Sequence, residues 1–222
     1  MNNKELVVEF RNVTKSYGSN TLFDNFNMTV TSGEMICIAG GSGSGKSTIL
    51  NLIGMFDKPD RGEIYLFGKK IPKINSKEGR EVLRTKLLYI FQNFALLGDK
   101  TIDYNLDIPL LNSKLSSKDK AKMKQDAIKK VGLEKSLKTK VYQLSGGEQQ
   151  RIALARGYLK DFDLILADEP TGSLDATNRD LVISMLRDFN KNGKTVIIVS
   201  HDPIVMRACD RVITLDNNSS NA

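Results

Sequence analysis

Metal-binding side chains are scarce in this 222-residue chain: it has a single histidine, His201, and two cysteines, Cys37 and Cys209, with no CxxC pair. A zinc site of the usual Cys/His kind is therefore excluded. Both cysteines stand in apolar company, "EMICIAG" and "MRACDRV", and read as buried free thiols. Long apolar runs are missing too. Stretches such as "LLYIF" (87–91) and "VIIV" (196–199) fall far short of the ~20 residues a membrane-spanning helix needs. The opening "MNNKELVVEF" carries no apolar signal-peptide core, so a cytoplasmic chain is expected. Internal repeats and low-complexity blocks are absent, and only the terminal "DNNSSNA" has a disordered composition. The length suits one domain with an insert and needs no staples to bury its core.

Charge of one sign is in excess, but only locally. The net charge is +7. Between Lys114 and Lys140 stand ten lysines, no arginine and three acids, so that window carries the whole excess and the remainder balances to zero. The plainest reading is a solvated helix face. Attraction to anionic lipid or to nucleic acid are the alternatives. The lack of arginine and of interleaved aromatics argues against base reading, and no nucleic-acid partner is expected.

What is present is a regular alternation. "LVVEF", "NFNMTV" (Phe26, Met28 and Val30 on one face) and "GEIYLFG" read as strands of a small antiparallel unit. Then come "MICIAG", a helix from Ser47, "LLYIFQ", "DLILADEP", a helix from about Thr177, "TVIIVS", a short helix after Pro203, and "RVITLD". Short, wholly apolar strands between helices imply a parallel sheet covered on both faces, an α/β fold. In the helix from Thr177, Leu181, Met185 and Phe189 recur at four-residue spacing and predict a buried stripe that stops at Gly193. Residues 93–160 break the rhythm with helices alone, one of them Lys-rich near 117–131. The expected division is a core with its β unit at 1–92 and 161–216, a helical insert at 93–160 and a flexible tail at 217–222.

Four strand ends carry chemistry. "GGSGSGKST" runs from Gly40 through Gly41, Ser42, Gly43, Ser44 and Gly45 to Lys46, Ser47 and Thr48, and it fits the phosphate-loop pattern G-x-x-x-x-G-K-[ST] between a strand and a helix. Its glycines let backbone N–H groups turn onto phosphates, Lys46 reaches the β/γ-phosphates, and Ser47 offers a hydroxyl to Mg²⁺. "LILADEP" ends a strand in two acids. Asp168 is placed to hold Mg²⁺ and Glu169 to polarise an attacking water. "VIIVSHD" sets His201 at the same sheet edge as a contact to phosphate or water, while Asp202-Pro203 reads as a helix cap and first turn. Gln92 in "YIFQN" is a candidate for Mg²⁺ or water. Tyr17 in "KSYGSN" suits base stacking or an ordinary strand end. "LSGGEQQR" (144–151) has the look of a second anion cradle, two glycines opening a helix.

Taken together these motifs resemble the ATP-binding subunit of ABC transporters over nearly the whole chain. "LSGGEQQR" is the specific element, with Glu148 where many members have Gln. That variant, "LILADEPTGSLD" and "IFQNFALLGDKTIDYNLDIPL" resemble the lipoprotein-release and macrolide-export branch. "FQNFALL" resembles bacteriocin-export ATPases of Gram-positive bacteria. The resemblance implies a P-loop NTPase core with a small antiparallel subdomain and an inserted helical subdomain, with ATP and Mg²⁺ as ligands. It implies a head-to-tail homodimer in which Ser145, Gly146 and Gly147 of one copy grip the ATP on the other's phosphate loop. Tyr17 would stack on adenine, Gln92 would sense the membrane partner, Asp175 would link the two sites and His201 would be the switch histidine. Glu169, His201 and Gln92 would be catalytic, with Ser47, Gln92 and Asp168 at the metal. The work implied is export, or membrane extraction, of a peptide, lipoprotein or amphiphile through a separate permease at the inner membrane face. The alternative is an ATP-dependent module signalling through a membrane protein to a cell-wall enzyme. Three positions depart from the family: Gly41 and Gly98 stand where Pro is common, and Gly157 in "ARGYLK" is expected to loosen its helix by ~1 kcal/mol relative to Ala.

Overall fold

Gly18 adopts φ 59° and turns the chain between its first two strands, a conformation that costs glycine no Cβ clash. In a computed structural model, which describes residues 5–215, β1 (Leu6–Tyr17) and β2 (Asn20–Thr31) pair antiparallel across this turn. The chain then enters a second sheet with β3 (Met35–Gly40), followed by a tight loop and α1 (Lys46–Ile53). It returns to the first sheet with β4 (Arg61–Leu66) and β5 (Lys69–Lys70), giving the order β2-β1-β4-β5. Next come α2 (Lys77–Thr85), β6 (Leu87–Ile90), and three helices in succession, α3 (Ile102–Asp107), α4 (Ser117–Lys130) and α5 (Gly146–Ala155). The chain closes through β7 (Leu164–Asp168), α6 (Ala176–Lys191), β8 (Thr195–Val199), α7 (Pro203–Arg207) and β9 (Arg211–Leu215). The second sheet is parallel throughout, in the order β6-β7-β8-β3-β9.

The strand alternation decides what each face covers. On β7, Leu164 and Leu166 point to a core shared with α1 and the antiparallel sheet, through Ile49, Ile53, Phe10 and Val30. Ile165 and Ala167 point the other way, into a core built by the helices with Leu154, Ala155, Val182 and Leu186. Both faces are buried, so these strands carry no polar face. All five parallel strands point their carboxyl ends to one edge. That edge collects the loop after β3, the turn after β6, and the residues following β7 and β8, where an α/β sheet receives its ligand.

The elements read from the sequence are present, with differences. The helices expected from Ser47 and Thr177 begin one residue earlier, at Lys46 and Ala176. The stripe on α6 is shifted: Met185 and Phe189 are buried, but Leu181 is 41% exposed, and Val182, Ile183 and Leu186 complete the face instead. A period of 3.6 rather than 4 rotates the seam round the helix. α2 was not foreseen, because "KEGREVLRT" is mostly charged and only Gly79 on it is fully buried. Ser76 caps it, accepting from the Gly79 N–H at 2.9 Å. Of the two cysteines, both free, Cys37 is buried but Cys209 only partly. It lies in the surface turn after α7, its thiol toward the Val205 carbonyl.

Gly157 is a correction of substance. α5 ends at Ala155, and Gly157 lies in the 3₁₀ turn Arg156–Leu159. A Cβ there would stand 2.8 Å from Leu88 Cδ2 and 2.9 Å from Phe189 Cζ. Its absence admits close packing between the helical segment and the sheet, so Ala would overpack the site rather than stabilise a helix. The Lys-rich window is corrected at one position as well. Lys124 is buried and pairs with Asp103 at 2.6 Å and Asp107 at 2.8 Å, joining α4 to α3. The tail at 217–222 lies outside the described residues.

Candidate nucleotide-binding site

The phosphate loop owes its shape to three glycines. Gly43 and Gly45 have φ 77° and 92°, a region L side chains avoid. Gly40 is required by space as well: a Cβ there would stand 2.6 Å from Ser44 Oγ and 2.7 Å from the Leu215 carbonyl oxygen. Gly45 occupies the cap position of α1 with no side-chain cap, which leaves the first-turn N–H groups without an internal acceptor. Lys46 folds back over the loop, its Nζ donating to the Gly40 carbonyl at 2.9 Å and the Gly41 carbonyl at 2.7 Å. A cavity of about 230 Å³ opens here, lined by Leu22, Gly43, Gly45, Lys46, Ser47 and Thr48. Ser44 is buried with no hydrogen-bond partner for its hydroxyl. Gly41 and Ser42 are exposed at the loop's outer turn.

The metal candidates meet. Ser47 Oγ donates to Asp168 Oδ1 at 2.9 Å, which joins the start of α1 to the end of β7. Burial holds the Asp168 carboxyl above the usual carboxylate range. The Ser47 hydrogen bond opposes that, the neighbouring Glu169 charge adds to it, and Lys46 counters it. A half-buried carboxylate beside a hydroxyl is an all-oxygen donor set of the kind Mg²⁺ takes, so these residues fit that ion. Among the described residues no group of three or more His, Cys, Asp or Glu side chains could by itself hold a metal ion. Gln92 is exposed in the turn two residues past β6. Because β6 pairs in register with β7, Ile90 opposite Ala167, it stands at the same sheet edge, but among the described residues no hydrogen bond joins it to Ser47 or Asp168.

Beside them, Glu169 adopts φ 44°, a strained value for a non-glycine residue, and its N–H donates to the Val199 carbonyl at 3.0 Å. This turn directs the side chain inward. Glu169 Oε1 lies 2.9 Å from His201 Nδ1, so Nδ1 carries the proton when the carboxylate is ionised. Glu169 Oε2 is buried with no partner. The side chains differ sharply in access, 15% exposed for Glu169 and 74% for His201. Asp202 accepts from the Ile204 N–H at 2.7 Å and caps α7, with Pro203 in the first turn.

Tyr17 ends β1 with half its surface exposed. Its hydroxyl hydrogen-bonds to Asp57, and Lys15 Nζ lies 4.7 Å from the ring centroid. Lys15 itself is buried and ion-paired with Asp57 at 2.9 Å, so the ring is held at its hydroxyl and covered by the lysine on one face.

The second cradle stands apart. Ser145 caps α5, its Oγ accepting from the Glu148 N–H at 3.3 Å while Glu148 Oε2 accepts from the Ser145 N–H at 2.9 Å, a reciprocal capping box. Glu148 is held further by Lys135 at 3.2 Å. These bonds, the Ser145 N–H foremost, keep the Glu148 carboxyl below its ordinary range. Gly146 is exposed, and a Cβ there would meet only Phe94 Cζ, at 3.9 Å, an ordinary van der Waals contact. No hydrogen bond or ion pair among the described residues links 144–148 to 40–48. Asp175 caps α6, accepting from the Asn178 N–H at 2.9 Å.

Two residues went unnoticed in the sequence. Arg156 donates to the Ala95 carbonyl at 2.8 Å and to Asn105 Oδ1 at 3.0 Å, with burial pushing it down to about 10. Asn105, wholly buried, binds Leu97 through both N–H and carbonyl. Together they clamp the loop that follows Gln92. The only signal was a polar residue amid apolar neighbours, which sequence alone cannot separate from a surface position.

The ABC transporter family profile matches residues 23–172. Macrolide export ATP-binding/permease proteins are among the relatives. That of Pasteurella multocida is 37% identical over 213 residues, covering 94% of this chain and 33% of that protein. That of Pectobacterium atrosepticum is 40% identical over 195 residues, covering 88% and 30%. The chain thus spans about a third of the length of the curated relatives it matches. A dimeric ATP-binding cassette, solved in a post-hydrolysis state bound to ADP and Pi, superposes with a TM-score of 0.87 at 37% identity, covering 95% of this chain and 94% of that one. With its P-loop NTPase core, this chain belongs to the ABC transporter family, as an ATPase cassette.

Proposed function

We propose that the chain binds Mg²⁺-ATP on loop 40–48 and hydrolyses it only when a second copy, packed head to tail, offers its Ser145, Gly146 and Gly147 to the same nucleotide. The observation that carries this reading is the unfinished second cradle. Gly146 is exposed at the start of α5, and no hydrogen bond or ion pair among the described residues ties the cradle to its own phosphate loop. Such a site gains an anion only from outside its chain.

Within that arrangement each residue has a task. Lys46 exchanges the Gly40 and Gly41 carbonyls for phosphate oxygens, so that the acceptor as well as the donor is charged. Ser47 and Asp168 would hold Mg²⁺, with Gln92 approaching from the β6 turn; the ion supplies charge neutralisation at the phosphates. Glu169 accepts the proton of the attacking water at Oε2, since Oε1 is committed to His201. His201 fixes the Glu169 rotamer and, exposed as it is, reaches the nucleotide side. Asp175 carries the connection between the two composite sites, and Tyr17 stacks on the base.

Coupled to this cycle, a separate membrane permease exports or extracts a peptide, lipoprotein or amphiphilic small molecule, and the cassette works at the inner membrane face. The relatives named for macrolide export combine ATP-binding and permease functions in one name. In the described residues no helix is long and apolar enough to cross a membrane.

The test is complementation. Ser145→Arg blocks the second cradle, and Lys46→Ala empties the first; each chain alone should be inactive. Mixed, they form one intact composite site per heterodimer and recover hydrolysis. A mixture that stays inactive while heterodimers demonstrably form sinks the shared-site reading.

A further inference from the structure

Asn178 is the third residue of α6 and lies in its first turn. Here both ends of the amide are committed. Oδ1 accepts from Arg151 Nη1 at 2.6 Å, and Nδ2 donates to Asp175 Oδ2 at 2.6 Å. The backbone N–H of the same residue takes the other Asp175 oxygen at 2.9 Å. The amide orientation follows from chemistry: a guanidinium only donates and a carboxylate only accepts, so the reversed amide would lose both bonds. Arg151 Nε is buried with no partner, which makes the Nη1 bond the polar anchor of that guanidinium.

Gly147 explains how the contact is reached. Unlike the phosphate-loop glycines, it is not among the positive-φ residues, so backbone conformation does not demand it. A Cβ at 147 would stand 2.5 Å from Asn178 Cγ and 2.6 Å from its Oδ1. The glycine is there because the Asn178 amide occupies the space. One side chain therefore touches the second cradle at Gly147, its helix at Arg151, and the 171–175 loop at Asp175.

We infer that Asn178 is a positioning residue that locks the start of α5 to Asp175, so that the cradle and the linking loop meet the partner copy as one rigid unit. The inference rests on the composite-site reading above. It assigns Asn178 no contact with nucleotide; it acts through Gly147 and Asp175. Disorder between the two elements would cost turnover, where both must be placed at once, and would spare ATP binding to the chain's own loop.

Two substitutions test it. Asn178→Ala removes both bonds. Asn178→Asp keeps the size and the Arg151 acceptor but loses the donor and sets a second carboxylate against Asp175. Both should lower kcat about tenfold, with KM for ATP and single-chain Mg²⁺-ATP affinity within about twofold of wild type. Arg151→Ala combined with Asn178→Ala should be no worse than Asn178→Ala alone, because the two act as a unit. If Asn178→Ala melts early, Asn178→Asp decides, since it retains the packing. Both variants turning over within twofold of wild type, or fully additive losses in the double variant, overturn the inference. The complementation of Ser145→Arg with Lys46→Ala separates the failures: active there and wild-type here, only the lock is wrong; inactive there, both ideas fall.

Discussion

The two anion cradles use glycine for opposite reasons. In loop 40–48 the glycines are conformational: Gly43 and Gly45 stand at φ 77° and 92° and Gly40 admits the Leu215 carbonyl. The loop is wrapped by its own lysine and flanked by a buried, unpartnered serine hydroxyl. In 144–148 the glycines are helical, the cap is already filled by Ser145 and Glu148, and the approach at Gly146 is open. On the composite-site proposal the first cradle would enclose a ligand by itself and the second would present a surface to one. A chain holding both has one complete half-site and one offered half-site, which is the physical basis for expecting two copies to act together.

The largest effect should come from breaking neither cradle. Glu169→Gln removes the water-accepting carboxylate while leaving both in place. Hydrolysis should fall by at least about 10²-fold, and Mg²⁺-ATP should drive an accumulating dimer visible by light scattering. Hydrolysis at the wild-type rate would remove Glu169 from the reaction.

Gly45→Ala attacks the first cradle alone. The strained φ, about 1–3 kcal/mol, is joined by a Cβ 2.5 Å from Phe23 Cζ in a packed core. ATP binding to the single chain should weaken at least about tenfold and the melting temperature should drop, as calorimetry would record.

Gly146→Ala addresses the second, with the opposite sign for stability. Helix propensity should raise the stability of the isolated chain by up to about 1 kcal/mol, since the added Cβ meets only Phe94 Cζ at an uncrowded 3.9 Å, while hydrolysis declines because the methyl fills the partner's approach. Lower stability together with unchanged turnover would show that the two cradles do not differ as described.

The smallest effect concerns the exposed lysines of α4, on the helical segment that carries the second cradle. Changing Lys118, Lys122, Lys129 and Lys130 to Gln should leave ATPase activity and melting near wild type, and should weaken salt-sensitive binding to anionic vesicles, where each lysine near the surface contributes roughly 1 kcal/mol. Unchanged vesicle binding at low salt would leave them a solvated face.

Local chemistry was legible in the sequence wherever a function needs consecutive residues. The phosphate loop, the acid pair after β7 and the cap-and-glycine start of α5 each carry their geometry in a few positions, because backbone dihedrals and helix starts are set by near neighbours. The continuous apolar runs of β3, β7 and β8 likewise announced a parallel sheet with both faces covered. α2 escaped because its burial is slight, and the α6 stripe was displaced because four-residue spacing drifts on a 3.6-residue helix. Only tertiary structure decided the rest. It paired Ser47 with Asp168 across 121 residues of chain and Glu169 with His201 across 32. It buried Arg156 against carbonyl oxygens, made Gly157 a packing requirement rather than a weak point, and set Asn178 against Gly147. Each depends on which surfaces the sheet order brings into contact, and a contact between distant elements leaves no periodic trace in the residues that make it.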